Sequence, residues 1–224
     1  IRVCHCFHGS DHGYPYLYYE RPPEGMLPLA DLGRGSSAGG TSYLEMAFPG
    51  EYRESLYFCE WGRAVVRYHQ QRAGSSFVPM QEVDFAAGAA TDPYGFKPTD
   101  LVVARDGAIY ISDWCDGQRP KRGRGRIYRI ESVTALNEDV EQVAVSESSD
   151  FTILLAALNS KSSLSRIAAQ EELERRGSGG VVKVKGAITS GALTPIGRMH
   201  AIWVLAHVEG DDGLEDLFQL AETD

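Results

Sequence analysis

Five potential metal ligands lie close together at the start of the chain. The stretch IRVCHCFHGSDHGYPY contains them in this order: Cys4, His5, Cys6, His8 and His12. Covalent haem attachment needs C-x-x-C-H, because two thiols must reach the haem vinyl groups while the histidine ligates iron, and C-H-C does not provide that spacing. A structural zinc site needs a second ligand pair beside the H-x₃-H spacing, and none follows at a fitting distance. We therefore predict no metal here and interpret the stretch as a strand, Val3–Phe7, followed by a turn over residues 9–15.

The elements that must position such residues repeat along the first part of the chain. ESLYFCEWGRAVVRY begins at Glu54, and DGAIYISDWCDGQRPKRGRGRIYRI begins at Asp106; each runs strand, acidic residue, tryptophan, strand. Trp61 and Trp114 are 53 residues apart, which is close to the roughly 40–50-residue period of propeller blades. Arg105-Asp106-Gly107 is a tight-turn signal between two of the strands. The pattern favours terminal blades of a β-propeller, made of antiparallel four-stranded sheets, and the spacing alone leaves another all-β fold open.

The second part of the chain has helical periodicity and a repeat of its own. SRIAAQEEL, from Ser165, aligns with GRMHAIWVL, from Gly197, at an offset of 32 residues. Thr194-Pro195 is typical of a helix start, and Ser149-Asp150 could cap a helix that begins near Phe151. Further helical segments are predicted over Phe151–Leu158, Val181–Ile188 and Leu214–Leu220. The predicted parts are blades over residues 1–131, an acidic connector over residues 132–150, and a short α-helical solenoid of HEAT-like repeats over residues 151–224.

Charge is distributed unevenly and argues against some partners. Residues 1–130 hold 15 basic and 15 acidic residues, whereas residues 131–224 hold 7 and 16, which accounts for the net charge of −9. The acidic second part argues against nucleic acid, and the basic run KRGRGR (Lys121–Arg126) is interpreted as a solvated hairpin loop. No apolar run is long enough to cross a bilayer. Because the chain opens at Ile1 without a basic or apolar leader, we expect a fragment or a processed piece of a longer protein.

Three motifs in the first part resemble a known family. They are KPTD at Lys97–Asp100, the turn Ser112-Asp113-Trp114, and GRIYRI at Gly125–Ile130. With their surroundings they resemble the last blades of sorbosone/glucose dehydrogenase-like six-bladed propellers, and look closest to the branch called putative membrane-bound dehydrogenases, in which HEAT repeats follow the propeller. The resemblance covers residues 1–131. It implies pyrroloquinoline quinone (PQQ) and calcium as cofactors, oxidation of a carbohydrate or alcohol hydroxyl, and a periplasmic or secreted location.

The resemblance also implies which residues would hold the quinone. The family binds the quinone carboxylates with lysine and arginine, whose charges suit an anion. Arg63 and Lys97 are the corresponding candidates here. The sequence departs from the family at Gly62, where a cofactor lysine would fall, and near Thr99, where one arginine of a pair would fall. The catalytic base lies on an early blade that this chain does not contain, so no catalytic residue is assigned.

Five further residues are candidates for lining a substrate channel: His8, Asp11, His12, Asp100 and Asp113. The first three lie in a turn that resembles the family's loop at the channel mouth. The two aspartates stand in strand-end turns, where they could bind calcium or orient side chains, although acidic residues in such turns also cap local backbone N–H groups. The two tryptophans at equivalent positions are interpreted as packing between blades.

Two functional hypotheses follow. The first is a piece of a quinoprotein dehydrogenase-like enzyme whose full-length form oxidises a small carbohydrate or alcohol. The alternative is a non-catalytic carbohydrate- or protein-binding propeller with a HEAT scaffold, whose surface could take a protein partner. The missing basic residue at Gly62 keeps the alternative open.

Overall fold

The structure, a computed structural model, describes most of the chain. The described residues are 2–12, 28–31, 36–74, 76–92, 95–114, 125–133, 144–215 and 217–218. The chain divides into two compact units, one of residues 1–43 and 47–135 and the other of residues 44–46 and 136–224. The first unit contains the strands, and the second contains the α-helices.

The strands of the first unit form antiparallel sheets in which neighbouring strands follow chain order. The described strands are β1 (Arg2–Val3), β2 (Ala30–Asp31), β3 (Ser37–Tyr43), β4 (Ser55–Glu60), β5 (Ala64–Ala73), β6 (Ser76–Ala87), β7 (Pro98–Val103), β8 (Ile109–Asp113) and β9 (Arg126–Ile130). Strand β1 pairs with β2, β3 to β6 form a four-stranded sheet, and β7 to β9 form a three-stranded sheet. Antiparallel sheets are therefore confirmed for this part of the chain.

The two larger sheets share one core. Its members that are at most 1% exposed are Tyr43, Tyr57, Cys59, Val65, Ile109 and Ile111. Buried and half-buried residues alternate along most of β4, as expected for a strand with one face against a core. The Tyr57 hydroxyl donates to a backbone carbonyl at 2.9 Å, which satisfies the polar end of a buried ring. Because the apolar faces of both sheets meet in this core, the first unit holds its two repeats together by side-chain packing.

The predicted turn between β7 and β8 is confirmed. Gly107 N donates to the Ala104 carbonyl at 2.8 Å, and Gly107 has φ +78°, a conformation that favours glycine. A Cβ at this position would lie 2.4 Å from the Cβ of Ala47. The Gly107 carbonyl also accepts the buried hydroxyl of Tyr43 at 2.8 Å. Gly107 is therefore needed both for the conformation of the turn and for close packing against Ala47 and Tyr43 in the core.

The predicted strand Val3–Phe7 is wrong beyond its first residue. Only Arg2 and Val3 are paired, with Asp31 and Ala30, and from Cys4 onward the backbone is not in a strand. The partner strand β2 is only two residues long in the described part of the chain. His5 instead bonds to Ser76 Oγ at 3.0 Å. A tertiary contact therefore overrides the strand-like local pattern.

The second unit contains α1 (Phe151–Leu158), α2 (Ser163–Arg175), α3 (Ser178–Thr189) and α4 (Pro195–Glu209). Its core includes Leu158, Leu173, Val184 and Leu205, all fully buried. The helices confirm the predicted α-helical second part, including the helix proposed over Val181–Ile188. Residues 214–215 and 217–218 are also helical, whereas Leu220 lies outside the described residues. None of the helices in the described part of the chain is long and apolar enough to span a membrane.

The helix starts follow the caps expected from the sequence. Asp150 accepts from Ile153 N and caps α1, and Thr194 accepts from Gly197 N ahead of Pro195 in α4. Ser162 caps α2 in the same way and precedes Thr194 by 32 residues, so the sequence offset is also an offset between capped helices. Side-chain acceptors at such positions satisfy amides that the helix itself leaves unpaired. Residues 134–143 of the predicted connector lie outside the described residues.

Candidate functional site

The acidic residues before Trp61 and Trp114 each close one end of a sheet. In the four-stranded sheet, the buried carboxylate of Glu60 accepts from Ser36 N at 2.8 Å and from Ser37 Oγ at 2.8 Å. The backbone completes the link, because Trp61 N donates to the Ser36 carbonyl at 3.1 Å. Ser36 directly precedes β3, so Glu60 and Trp61 join the end of β4 to the start of β3.

The three-stranded sheet has the same arrangement. The fully buried carboxylate of Asp113 accepts from Lys97 N at 2.9 Å, and Trp114 N donates to the Lys97 carbonyl at 3.0 Å. Lys97 directly precedes β7, as Ser36 precedes β3. We call this arrangement of acid, tryptophan amide and strand-start residue the strand clasp. In both sheets the strand register shifts directly after the first residue pair of the ladder, after Ser37 in one and after Pro98 in the other. The equivalence therefore extends beyond the clasp.

Asp113 has a second partner besides the Lys97 amide. Arg126 Nε donates to Asp113 Oδ2 at 3.1 Å, and Arg126 Nη1 donates to Asp92 Oδ2 at 2.8 Å. The hydrogen bond to Asp92 and the charge of Asp113 help to raise the pKa of Arg126 above its usual value. This arginine belongs to the basic run interpreted as a solvated loop, but it is the first residue of β9. Asp113 is therefore committed to a backbone amide and a guanidinium.

Arg63, a candidate for binding the quinone, is paired with two carboxylates. Its Nη2 lies 2.8 Å from Glu82 Oε1 and 2.8 Å from Asp84 Oδ1, and all three side chains are more than one-third exposed. Tyr68 donates to the other oxygen of Glu82 at 2.5 Å. That hydroxyl, and then Arg63, hold the pKa of Glu82 below its usual value. A ligand carboxylate at Arg63 would have to compete with these pairs.

The glycine before Arg63 has a structural cause. Gly62 has φ +83° in the turn between β4 and β5, and a side chain such as lysine would be strained in that conformation. The positive φ of this turn therefore favours glycine at position 62 over the lysine that the family pattern has there.

Lys97 connects the two repeats of the first unit. Its backbone forms the clasp with Asp113 and Trp114. Its ammonium lies 5.8 Å from the centroid of the Trp61 ring, within the range of a cation–π interaction. Trp61 is 40% exposed and Trp114 is 46% exposed. Trp61 is therefore in contact with the following repeat, while much of both indole surfaces remains open.

Asp100 lies inside β7 and beside Gly39 of the neighbouring sheet, so the prediction that it stands in a strand-end turn is wrong. It is exposed, and its Oδ1 accepts from the next amide, Leu101 N, at 2.8 Å. A Cβ on Gly39 of β3 would lie 1.9 Å from that same oxygen, so only glycine fits there. Burial raises the pKa of the Cys59 thiol to about 12, and the charge of Asp100 adds to the effect. Asp100 thus bonds within its own strand, and its charge acts on Cys59 of β4.

The N-terminal candidates form a local turn. Ser10 N donates to the Phe7 carbonyl at 3.0 Å, and His12 Nε2 lies 3.1 Å from Ser10 Oγ. His12 Nδ1 is buried without a hydrogen-bond partner in the described structure, whereas His8 and Asp11 are exposed. The part of the predicted turn over residues 13–15 lies outside the described residues.

The cysteines differ in environment. Cys4, Cys6 and Cys59 are free thiols, and Cys115 lies outside the described residues. Burial, and then the neighbouring Cys6, raise the pKa of Cys4. Within the described ranges, no group of three or more histidine, cysteine, aspartate or glutamate residues is arranged to hold a metal ion.

A cavity of about 340 Å³ lies in the first unit and was missed by sequence reasoning. Small residues from Ala86 to Ala89 form one wall, and Phe96, Ile111 and Tyr128 form much of the rest. The rings of Phe96 and Tyr128 meet edge to face, with centroids 5.8 Å apart. The run AAGA was the available signal, because residues without large side chains leave space beside a sheet. Its lining is mainly apolar, with Asp92 and Arg129 as its charged members.

Comparison of the chain with protein-family models, with curated proteins and with solved structures gives no match.

Proposed function

We propose that this chain forms consecutive propeller blades followed by HEAT-like repeats, and that its strand clasps are framework rather than catalytic groups. The observation that carries the proposal is the equivalence of the two clasps. Glu60 and Asp113 each bind the amide that precedes the first strand of their sheet, and each is followed by a tryptophan whose amide bonds back. One structural unit used twice in succession, with a shared core, is what neighbouring blades require.

The full-length protein would then be a sorbosone/glucose dehydrogenase-like propeller that oxidises a carbohydrate or alcohol hydroxyl. This step of the proposal rests on the resemblance of the KPTD, SDW and GRIYRI motifs. Its chemistry would come from residues outside this chain, because the family's base lies on another blade. A periplasmic or secreted location belongs to the same proposal.

Among the described candidates, Arg63 and Asp113 do not fit the quinone and calcium that the resemblance implies. Arg63 is already paired with Glu82 and Asp84 at 2.8 Å. The fully buried Asp113 carboxylate is held by a backbone amide and by Arg126. Binding a quinone carboxylate or a calcium ion would require breaking those pairs. We therefore assign Arg63 and Asp113 no step in the reaction.

A second candidate, a non-catalytic carbohydrate- or protein-binding propeller, is favoured by that same pairing of Arg63. The two candidates separate in one assay on the full-length protein. Purified protein is mixed with a panel of sugars and alcohols, PQQ, calcium and an electron-accepting dye, and dye reduction is followed. The dehydrogenase proposal expects reduction, and it also expects R63A to keep the same kcat because Arg63 is framework. Absence of reduction with every substrate, together with calorimetric binding of a sugar, would establish the second candidate.

A further inference from the structure

The first turn of α2 is capped by a segment from a distant part of the chain. The Leu44 carbonyl accepts from Ser163 N at 3.3 Å, and Glu45 Oε1 accepts from Leu164 N at 2.9 Å, across 119 residues of sequence. The side chain of Ser162, the ordinary cap, accepts from Ser165 N. Amides in the first turn have no acceptor within their own helix. Leu44–Met46, which belongs to the helical unit, therefore supplies two of the acceptors that α2 needs.

The equivalent helix shows why α2 needs outside acceptors. In α4, Thr194 accepts from Gly197 N at 3.2 Å, as Ser162 does in α2. The first residue of α4 is Pro195, which has no N–H and so leaves no donor there. Ser163 stands 32 residues earlier, at the equivalent position, and its N–H requires an acceptor. The repeat thus satisfies the same position by proline in α4 and by Leu44 in α2.

Glu45 also faces a buried cation. It is 3% exposed, and Arg166 is 6% exposed. The guanidinium of Arg166 donates to the carbonyls of Ser160 and Lys161 at 2.7 and 3.0 Å. Burial lowers the pKa of Arg166, and the charge of Glu45 opposes this. Glu45 Oε2 has no hydrogen-bond partner in the described structure, so this carboxylate oxygen is held in the interior beside the helix terminus and the cation. A negative charge is favourable in both positions.

We infer that the N-terminal end of α2 is a docking site for a short segment that supplies one carbonyl and one carboxylate, and that Leu44-Glu45-Met46 occupies it as an internal latch. The latch works through one carbonyl and one carboxylate. The Leu44 carbonyl accepts from the Ser163 amide, and in α4 the equivalent position is Pro195, which has no N–H. The carboxylate takes the next amide and offsets the charge of Arg166. The helical unit is therefore complete only when this segment, which directly follows β3, is seated on α2.

The test is hydrogen–deuterium exchange with mass spectrometry on the full chain. E45A removes both the acceptor and the charge, and amides 163–165 should exchange about tenfold faster, the usual size of effect for losing a helix cap acceptor. E45Q keeps an acceptor and loses the charge, so its exchange should be intermediate. Glu51 is exposed and lies in the first unit, so E51A is the matched control and should exchange like wild type.

Wild-type exchange of amides 163–165 in E45A would overturn the latch. An equal acceleration in every strand and helix would also overturn it, because Glu45 would then affect general stability and not a local docking site. If E45A does not fold, E45Q gives the readout, and wild-type exchange in E45Q would remove the role of the carboxylate charge.

Discussion

Replacing Asp113 by alanine tests whether the strand clasp holds the first unit together. Asp113 Oδ1 accepts from Lys97 N at 2.9 Å, and Oδ2 accepts from Arg126 at 3.1 Å. The carboxylate is fully buried, so water does not replace it freely. Its removal leaves the Lys97 amide without its side-chain acceptor and takes one of two carboxylates from Arg126.

The two losses can be given magnitudes. An unsatisfied buried amide costs about 1–3 kcal/mol. The loss at Arg126 is smaller, about 1 kcal/mol, because Asp92 still pairs with the partly exposed guanidinium at 2.8 Å. We therefore expect D113A to lower the free energy of unfolding of the first unit by about 2–4 kcal/mol. D113N keeps an acceptor for Lys97 N and loses the charge, so its cost should be about 1–2 kcal/mol.

The assay is urea denaturation followed by tryptophan fluorescence. A W203F background removes the helical unit's tryptophan, so the signal comes from Trp61 and Trp114 of the first unit. The control is D100A, because Asp100 is exposed and bonds to its own neighbouring amide; its effect should stay below about 1 kcal/mol. A D113A protein within that same limit would refute the clasp. Stabilisation by calcium that disappears in D113A would refute it too, by assigning the carboxylate to a metal.

Three further predictions concern packing, pH and thiol reactivity. A Cβ on Gly180 would lie 2.1 Å from a backbone carbonyl oxygen of α2, so G180A should lower the free energy of unfolding by about 1–3 kcal/mol. A Cβ on Gly179 would meet nothing nearer than 3.7 Å, so G179A should raise the free energy of unfolding by up to about 1 kcal/mol. Urea melts of the two variants measure both changes. Hydrogen bonds from arginines at the end of α2 hold the pKa of Glu172 at about 2; because this pKa is depressed in the folded state, its contribution is complete above about pH 5 and declines as pH falls towards 2. E172Q should abolish that part of the stability difference between pH 7 and pH 3, and an unchanged difference would contradict the pairing. Maleimide should label the exposed Cys6 in the native protein and spare the fully buried Cys59 until unfolding, and peptide mapping that finds Cys59 labelled early would contradict the described core.

Local signals in the sequence predicted the helices well. A polar residue before an apolar-periodic run marks a helix start because its side chain satisfies first-turn amides. Asp150 and Thr194 do this as expected. Both caps lie within three residues of the amides they bind, so the information is contained in one short window.

Contacts across strands were not predictable in the same way. Arg63 meets Glu82 and Asp84, which share one face of β6 through their i, i+2 spacing. The sequence shows that spacing, but the pairing of β5 with β6 contains two register shifts. A shift of one residue moves a side chain to the other face of the sheet. The partners of Arg63 therefore depend on bulges for which the sequence has no clear signal.

The sequence shows the repeated acid–tryptophan motif of the strand clasps, but it does not show which amides the acids bind. The acid–tryptophan pair repeats, yet Glu60 binds an amide 24 residues earlier and Asp113 binds one 16 residues earlier. The loops between strands differ in length, so no fixed spacing identifies the donor. The latch at Glu45 is harder still, because its donor lies 119 residues later. Only the folded chain brings these groups together.

Several charged side chains of this chain are held by hydrogen bonds or ion pairs, and this limits which of them could take part in a reaction. Glu60 and Asp113 are turned towards backbone amides, Arg63 and Arg126 are each paired with two carboxylates, and Glu45 accepts from the start of a helix. A group that acts as a general base or holds a substrate must be able to change partners during the reaction. Each of these side chains would first have to leave a buried amide or an ion pair. If the protein is an enzyme, the groups that move protons should therefore be sought among residues other than these, and substitutions of these side chains should alter stability before they alter kcat.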